Sequence, residues 1–218
     1  MKASILIILL WCHLLAYGQF DFQPDSSDSA FPFEKFKGTE LAWPNQDSIV
    51  FELRFWVYND FGGLLQLTYN KDSTWNCRRG FLSNGFQTVE LTSSSPNFDT
   101  VWNKLKKNHI LNLPNQDELI YTYHKDGRSV KIGPEKESTE PLIHNTTDGT
   151  GYSIELFKGE RYRHIYYYNA ILLNKLWENS EWESKETEYF ANMANLLIDS
   201  FAMHEVFQMN LREKTGKK

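Results

Sequence analysis

From Asp47 onward, apolar and polar positions fall into two rhythms. Ile49, Phe51, Leu53, Phe55 and Val57 alternate with Val50, Glu52, Arg54, Trp56 and Tyr58. A period of two marks a long strand with at least one buried face. Asp60-Phe61-Gly62-Gly63 reads as a turn, Leu65, Leu67 and Tyr69 as the next strand, and Trp75 to Leu82 as a third. Asn84-Gly85 then signals a tight hairpin, because both residues tolerate positive φ. A two-residue loop there sets Arg79 opposite Glu90, a sensible ion pair across the strands. The fourth strand runs from Phe86 to Thr92.

The rhythm then changes to that of a helix. Phe98, Val101, Trp102 and Leu105 fall on one stripe. Ser95-Pro96 supplies a hydroxyl cap and a proline for the first turn. Lys104, Lys106 and Lys107 crowd the last turns, where the negative end of the helix favours cations.

Strands return at Leu119 to Lys125 and Arg128 to Gly133, joined by Asp126-Gly127. That register puts Tyr121 and Tyr123 on one face with Val130 and Ile132. Pro134 to Thr150 reads as a polar loop, and its Asn145-Thr146-Thr147 is a glycosylation acceptor in a host that glycosylates. After the next hairpin comes a helix from about Ser184 to His204, with Phe190, Met193, Leu197 and Phe201 along one side. The stretch from Ala170 to Glu183 has room for one more short helix. The expected architecture is α+β: an antiparallel sheet of about eight strands with two main helices laid on it, in an order that hints at a ββββα pseudo-repeat.

The hairpin "GYSIELFKGERYRHIYYYNA", residues 151 to 170, is the densest aromatic and basic stretch of the chain. A three-residue loop, Phe157-Lys158-Gly159, pairs Glu155 with Arg161 and Ile154 with Tyr162. Tyr152, Ile154, Leu156, Tyr162, His164, Tyr166 and Tyr168 then share a buried face. Ser153, Glu155, Arg161, Arg163, Ile165 and Tyr167 share a half-wet one. We prefer this register because it keeps arginine off the apolar side. It leaves Arg161, Arg163 and Tyr167 as candidate binding residues, two cations beside an aromatic ring that suit a carboxylate or a sugar.

The N-terminus bears on location. Lys2, the apolar run Ile5 to Leu15 and the small-x-small pattern Ala16-Tyr17-Gly18 have the plan of a secretory signal peptide cleaved before Gln19. The run is shorter than the roughly 20 apolar residues of a spanning helix. The expected mature protein is periplasmic or extracellular, with no membrane span. Residues 19 to 46 read as a tether, partly ordered where Phe31, Phe33, Phe36 and Trp43 find grooves. Residues 47 to 213 read as one domain, and residues 214 to 218 as a flexible basic tail.

Composition narrows the chemistry. Aromatics at 15% and hydrophobics at 41% are enough for a real core. A net charge of −5 gives no overall field for nucleic acid. Beyond the leader only Cys77 remains, so no internal disulfide is available. The adjacent Arg78 and Arg79 raise the question of a reactive thiol. No nucleophile elbow, zinc-binding H-E-x-x-H, phosphate loop or C-x-x-C is present. His109, His124, His144, His164 and His204 show no ligand spacing. Glu181/Glu183 and Glu186/Glu188 suit the start of the last helix better than a glycosidase cleft. We therefore expect no catalytic residues, metal or cofactor.

The layout "VWNKLKKNHILNLP", a DG turn, "YSIELFKGERYRHIYYYN" and an amphipathic C-terminal helix resembles uncharacterised secreted proteins of Gram-negative bacteria. The likeness covers about Val101 to Phe201 and departs from the pattern at Ala170, where proline is expected. It implies an envelope or secreted location and an α+β fold, and it transfers no site residues. The leading expectation is a non-catalytic binding protein that uses a sheet face to hold an unknown protein or an envelope glycan. A hydrolase with a dispersed histidine–carboxylate site is one alternative. A periplasmic inhibitor with an apolar patch is the other.

Overall fold

In a computed structural model of the chain, the described residues are 19–24, 39, 41–59, 62–83, 85–89, 96–125, 127–133, 149–178 and 180–216. Phe31, Phe33, Phe36, His144, Asn145 and residues 1 to 18 lie outside them. Antiparallel pairing builds a six-stranded sheet from β1 (Ile49–Tyr58), β2 (Gly63–Asn70), β3 (Trp75–Ser83), β4 (Gly85–Thr88), β7 (Gly151–Lys158) and β8 (Arg161–Tyr168). Its strand order is β4-β3-β2-β1-β7-β8. A smaller sheet, β6-β5-β9, combines β5 (Tyr121–Lys125), β6 (Arg128–Ile132) and β9 (Trp182–Glu183). The helices are α1 (Phe98–Lys107), α2 (Ala170–Trp177), α3 (Lys185–Ser200) and α4 (Met203–Thr215), with a 3-10 turn at Gln116–Glu118.

The expected α+β class holds, with one more strand among the described residues than the rhythm suggested, a short helix in the stretch from Ala170 to Glu183 that had room for one, and a last helix in two parts. The ββββα order is present in the chain but does not form two equal units. The first four strands make one meander, whereas the second four are split, β5 and β6 to the small sheet and β7 and β8 to the large one. The last helix breaks at Ala202, which sits at φ 48°, and resumes as α4. Residue 214, read as the start of a loose tail, lies in that helix.

The inner face of the large sheet carries the core. Phe51, Leu53, Phe55, Leu65, Ile154, Leu156 and Ile165 pack there against Trp102, Phe190, Leu197 and Phe201. The apolar stripe of α1 is on this side, capped by Asn97, whose side chain accepts from Thr100 N at 2.9 Å. The cap is therefore Asn97, two residues beyond the expected Ser95. Arg79 closes the far end of α3 by donating to Phe201 O at 3.0 Å. The β3–β4 register is one residue tighter than a two-residue loop gives, since Val89 N donates to Arg79 O at 2.7 Å. Glu90, the expected partner of Arg79, is outside the described residues. The Asp126-Gly127 hairpin has the expected register, with Tyr123 opposite Val130 and Tyr121 opposite Ile132.

The segment read as a tether contributes to both sides of the sheet. Phe20 is wholly buried and stacks on Phe51 with ring centroids 4.5 Å apart, among Tyr69, Trp75 and Trp102. Phe22 is also buried, beneath the Arg161 guanidinium. Between them, Asp21 pairs with Arg161 and Lys158, and these cations hold its carboxyl below the usual range. On the outer face, Leu41 is buried against Trp56, Leu64 and Phe157, and Trp43 packs alongside them. Trp43 meets the Phe157 ring edge-on, and its Nε1 donates to Gly159 O at 3.1 Å.

Candidate functional site

The aromatic hairpin has a register that sequence reasoning did not reach. Lys158 pairs with Arg161, Leu156 with Arg163, Ile154 with Ile165 and Tyr152 with Tyr167. The loop is Gly159-Glu160, with glycine in its first position at φ 57°, the place that suits its missing Cβ. This exchanges the two faces of β8. Arg161, Arg163 and Tyr167 turn toward the core side, while Tyr162, His164 and Tyr166 turn outward.

The physical reason is a set of carbonyls some fifty residues upstream. Arg163 donates to Leu111 O at 2.9 Å and Leu113 O at 2.7 Å, and Tyr167 donates to Pro114 O at 3.0 Å. A guanidinium supplied with carbonyl acceptors can sit on an apolar face. The same segment covers the edge of β8. Asn115 Oδ1 accepts from Tyr166 N, and the Gln116 side chain exchanges bonds with the backbone of Tyr168. Two side chains thus stand in for a missing strand and protect an edge that would otherwise pair with other chains. Tyr167 is fully buried, and burial pushes its hydroxyl well above the ordinary range. Of the three residues singled out from sequence, Arg163 and Tyr167 serve this packing, whereas the partly exposed Arg161 pairs with Asp21 and lies over the Phe22 ring. His164, expected in the core, is half-buried on the outer face opposite Glu155.

The feature that sequence reasoning passed over is on that outer face. One row across five strands reads Arg78, Gln66, Arg54, Glu155, His164. The next row reads Asn76, Thr68, Glu52, Phe157, Tyr162. Glu52, Arg54, Gln66 and Glu155 are all buried, with Arg54 at 0% exposure. A residue-by-residue alternation predicts polar side chains here but not their burial. Burial comes from the strap at Leu41 to Trp43.

The charges are closely matched. Arg54 Nε donates to Glu52 Oε1 at 2.6 Å, and its two terminal nitrogens donate to Leu41 O at 2.7 Å and Ala42 O at 2.6 Å. Its guanidinium also lies over the Phe157 ring, 4.5 Å from the centroid. Glu155 accepts from Trp56 Nε1 at 2.8 Å and from the Tyr162 hydroxyl at 3.1 Å. Burial raises the pKa of Glu52 above its ordinary value, against the opposing pull of Arg54 and the neighbouring Gln66 amide.

Between strap and sheet lies a cavity of about 340 Å³. Its floor is Glu52, Arg54, Gln66, Thr68 and Arg78, and its wall is Ala42, Trp43, Pro44 and Asn45. Gln66 is 6% exposed, and its Oε1 has no hydrogen-bond partner. A second cavity, about 370 Å³, opens at the other end of β1 beside Gly62 and Asn210. There the buried polar group is already satisfied, since Asn210 donates to Gly62 O at 2.7 Å. The larger volume is therefore the less interesting one chemically.

Among the described residues, two histidines meet carboxylates. His124 Nε2 is 3.2 Å from Glu183 Oε2, with Ser129 Oγ 2.9 Å from the other ring nitrogen, and His204 lies 3.4 Å from Asp199. The His124 and Glu183 side chains are about half exposed, and neither pair lines either of the two cavities. His124 and Ser129 are direct cross-strand neighbours in the small sheet, and such contacts are ordinary sheet pairings.

Cys77 faces the core side of β3 beside Arg79. Burial pushes its thiol up to about 11, and Arg79 opposes this only in part. At pH 8 the group is almost wholly protonated. Native protein should react with a thiol reagent roughly tenfold or more slowly than denatured protein, which an absorbance time course at pH 8 measures. Equal rates would show that burial does not govern this thiol.

No protein-family model matches the chain, and no curated protein or solved structure matches it either.

Proposed function

We propose that this is a non-catalytic binding protein of the periplasm or the extracellular space, which holds a small polar ligand between the strap and the outer face of the large sheet. The secretory plan of residues 1 to 18 supports the location. The observation that carries the binding role is the orphan Gln66 Oε1 beside the cavity. Leaving a buried polar group unmade costs about 1–3 kcal/mol; the Trp102 Nε1 and the Tyr121 hydroxyl are left unmade too, but of these three residues Gln66 is the one that lines a cavity. The cavity volume is at the lower end of small-molecule sites, about 300–1,000 Å³.

Gln66→Met tests the role, because it keeps the shape and removes both amide functions. It removes an amide next to Glu52 and also relieves the orphan, so stability should change by only about 1 kcal/mol. Thermal unfolding would be followed in the presence of pooled sugars, amino acids, nucleosides and organic acids. A ligand at a hundred times its Kd stabilises by about 2.7 kcal/mol, which gives a shift of several degrees. We expect at least one pool to shift the wild type and to leave Gln66→Met unmoved. Equal shifts in both proteins, or none in either, would remove the reading.

A further inference from the structure

We infer that β6, the outer strand of the small sheet, is a docking edge for an extended acidic segment of another protein, which adds to the three-stranded sheet as one more strand. The inference concerns a different surface from the strap–sheet cavity and does not depend on it.

The main chain supplies the first argument. His124 N donates to Glu181 O at 2.7 Å. In an antiparallel ladder the direction of the main-chain groups alternates residue by residue. His124 and Thr122 therefore turn theirs toward β9, while Tyr121, Tyr123 and Lys125 turn theirs toward β6. Their partners there are Ile132, Val130 and Arg128. Ser129 and Lys131 lie between those partners, so each presents an N–H and a C=O to the outside. β6 ends the strand order of its sheet, and no described residue takes these groups up. The outer edge of β8, by contrast, is closed by Asn115 and Gln116.

The side chains supply the second. Arg128, Ser129, Val130 and Lys131 are all exposed. Val130 ends a row that runs Trp182, Tyr123, Val130 across the sheet, with the first two rings 4.8 Å apart. An apolar residue on an added strand would lengthen that row. The strand itself carries two cations and no carboxylate. Glu183 shares a row with Lys131, but Thr122 stands between them and Glu183 faces His124.

Those charges decide between occupants. A second copy of the chain would bring Arg128 and Lys131 of both copies to one seam, and like charges across a strand pair are unfavourable. A carboxylate opposite each cation is favourable. Antiparallel addition then specifies a partner that reads acidic, apolar, polar, acidic against Lys131, Val130, Ser129 and Arg128.

The test is fluorescence polarisation of a labelled, end-blocked peptide with glutamate, valine, threonine and glutamate in that order, compared with the same peptide carrying lysine for both glutamates. We expect the acidic peptide to bind at least tenfold more tightly than the basic one, and to weaken as salt is raised. Lys131→Pro removes an outward N–H and leaves the β5 ladder intact, so it should weaken the acidic peptide tenfold or more. Should that variant unfold, Arg128→Glu with Lys131→Glu alters no main-chain group and should exchange the preference for the basic peptide. No binding of the acidic peptide, or binding indifferent to these substitutions, would overturn the proposal. So would a dimer in sedimentation that Lys131→Pro dissolves, since the edge would then serve a second copy.

Discussion

Phe20→Ala should destabilise the protein by about 3–5 kcal/mol, the range for removing a fully buried phenylalanine. In a chain of this size that lowers Tm by roughly 6–20 °C. The ring stacks on Phe51 and lies within 5.9 Å, centroid to centroid, of Tyr69, Trp75 and Trp102. No other side chain can move in to fill the space without leaving its own partners, so a cavity remains. Phe20→Leu should recover part of the loss, because most of the apolar area returns without the stacking geometry. Melting curves of the two variants, with tryptophan fluorescence as a local reporter for Trp75 and Trp102, measure the effect. A loss under about 1 kcal/mol, the size expected of a surface change, would mean that residues 19 to 24 are an accessory and not part of the core.

Arg54→Ala should cost about 3–5 kcal/mol at neutral pH, because it strands a buried carboxylate. Part of the loss is independent of pH: the carbonyls of Leu41 and Ala42 lose their donors, and the strap loses its anchor. The rest depends on Glu52. Its folded value is already raised by burial, so the native chain holds this proton more tightly than the unfolded chain does. Stability therefore falls as pH rises from the unfolded carboxylate value through the raised folded one, and levels off above it. Without Arg54 the folded value rises further and the window widens. The variant's deficit should be smallest near pH 5 and largest near pH 8, and Glu52→Gln in the same background should flatten the difference. Urea unfolding at the two pH values decides this. A deficit unchanged across that range would show that Glu52 is already neutral in the wild type.

What could be read from the chain depended on how local the cause was. The alternation of Phe51, Leu53 and Phe55 with Glu52 and Arg54 marked the core face of β1, because the period of a strand is a local property. The Asp126-Gly127 hairpin came out in register for the same reason. The 151–170 hairpin did not. Its register satisfies Arg163 with carbonyls at 111 and 113, a partnership no local pattern contains, and the rule that keeps arginine off an apolar face then pointed the wrong way. Phe20 and Phe22 were read as tether because four residues between a leader-like run and a proline-containing stretch show no period. Their spacing, two apart, was the signal available. The candidate site was half legible. The charges at 52 and 54 share a face by spacing alone, but Gln66 and Arg78 join them only through the register of three strands, and burial of the group needs the strap.

The two described ends of the N-terminal segment lie on opposite faces of the sheet, and both are closed by the last hairpin. Asp21 reaches Arg161, 140 residues away, and Trp43 reaches Gly159 across 116. Contacts so distant along the chain form late. The portion of the polypeptide that is made first is therefore the portion locked in last, and neither face of the sheet can be finished while β7 and β8 are still missing. This is a topological delay: the polypeptide stays loose until almost all of it has been made.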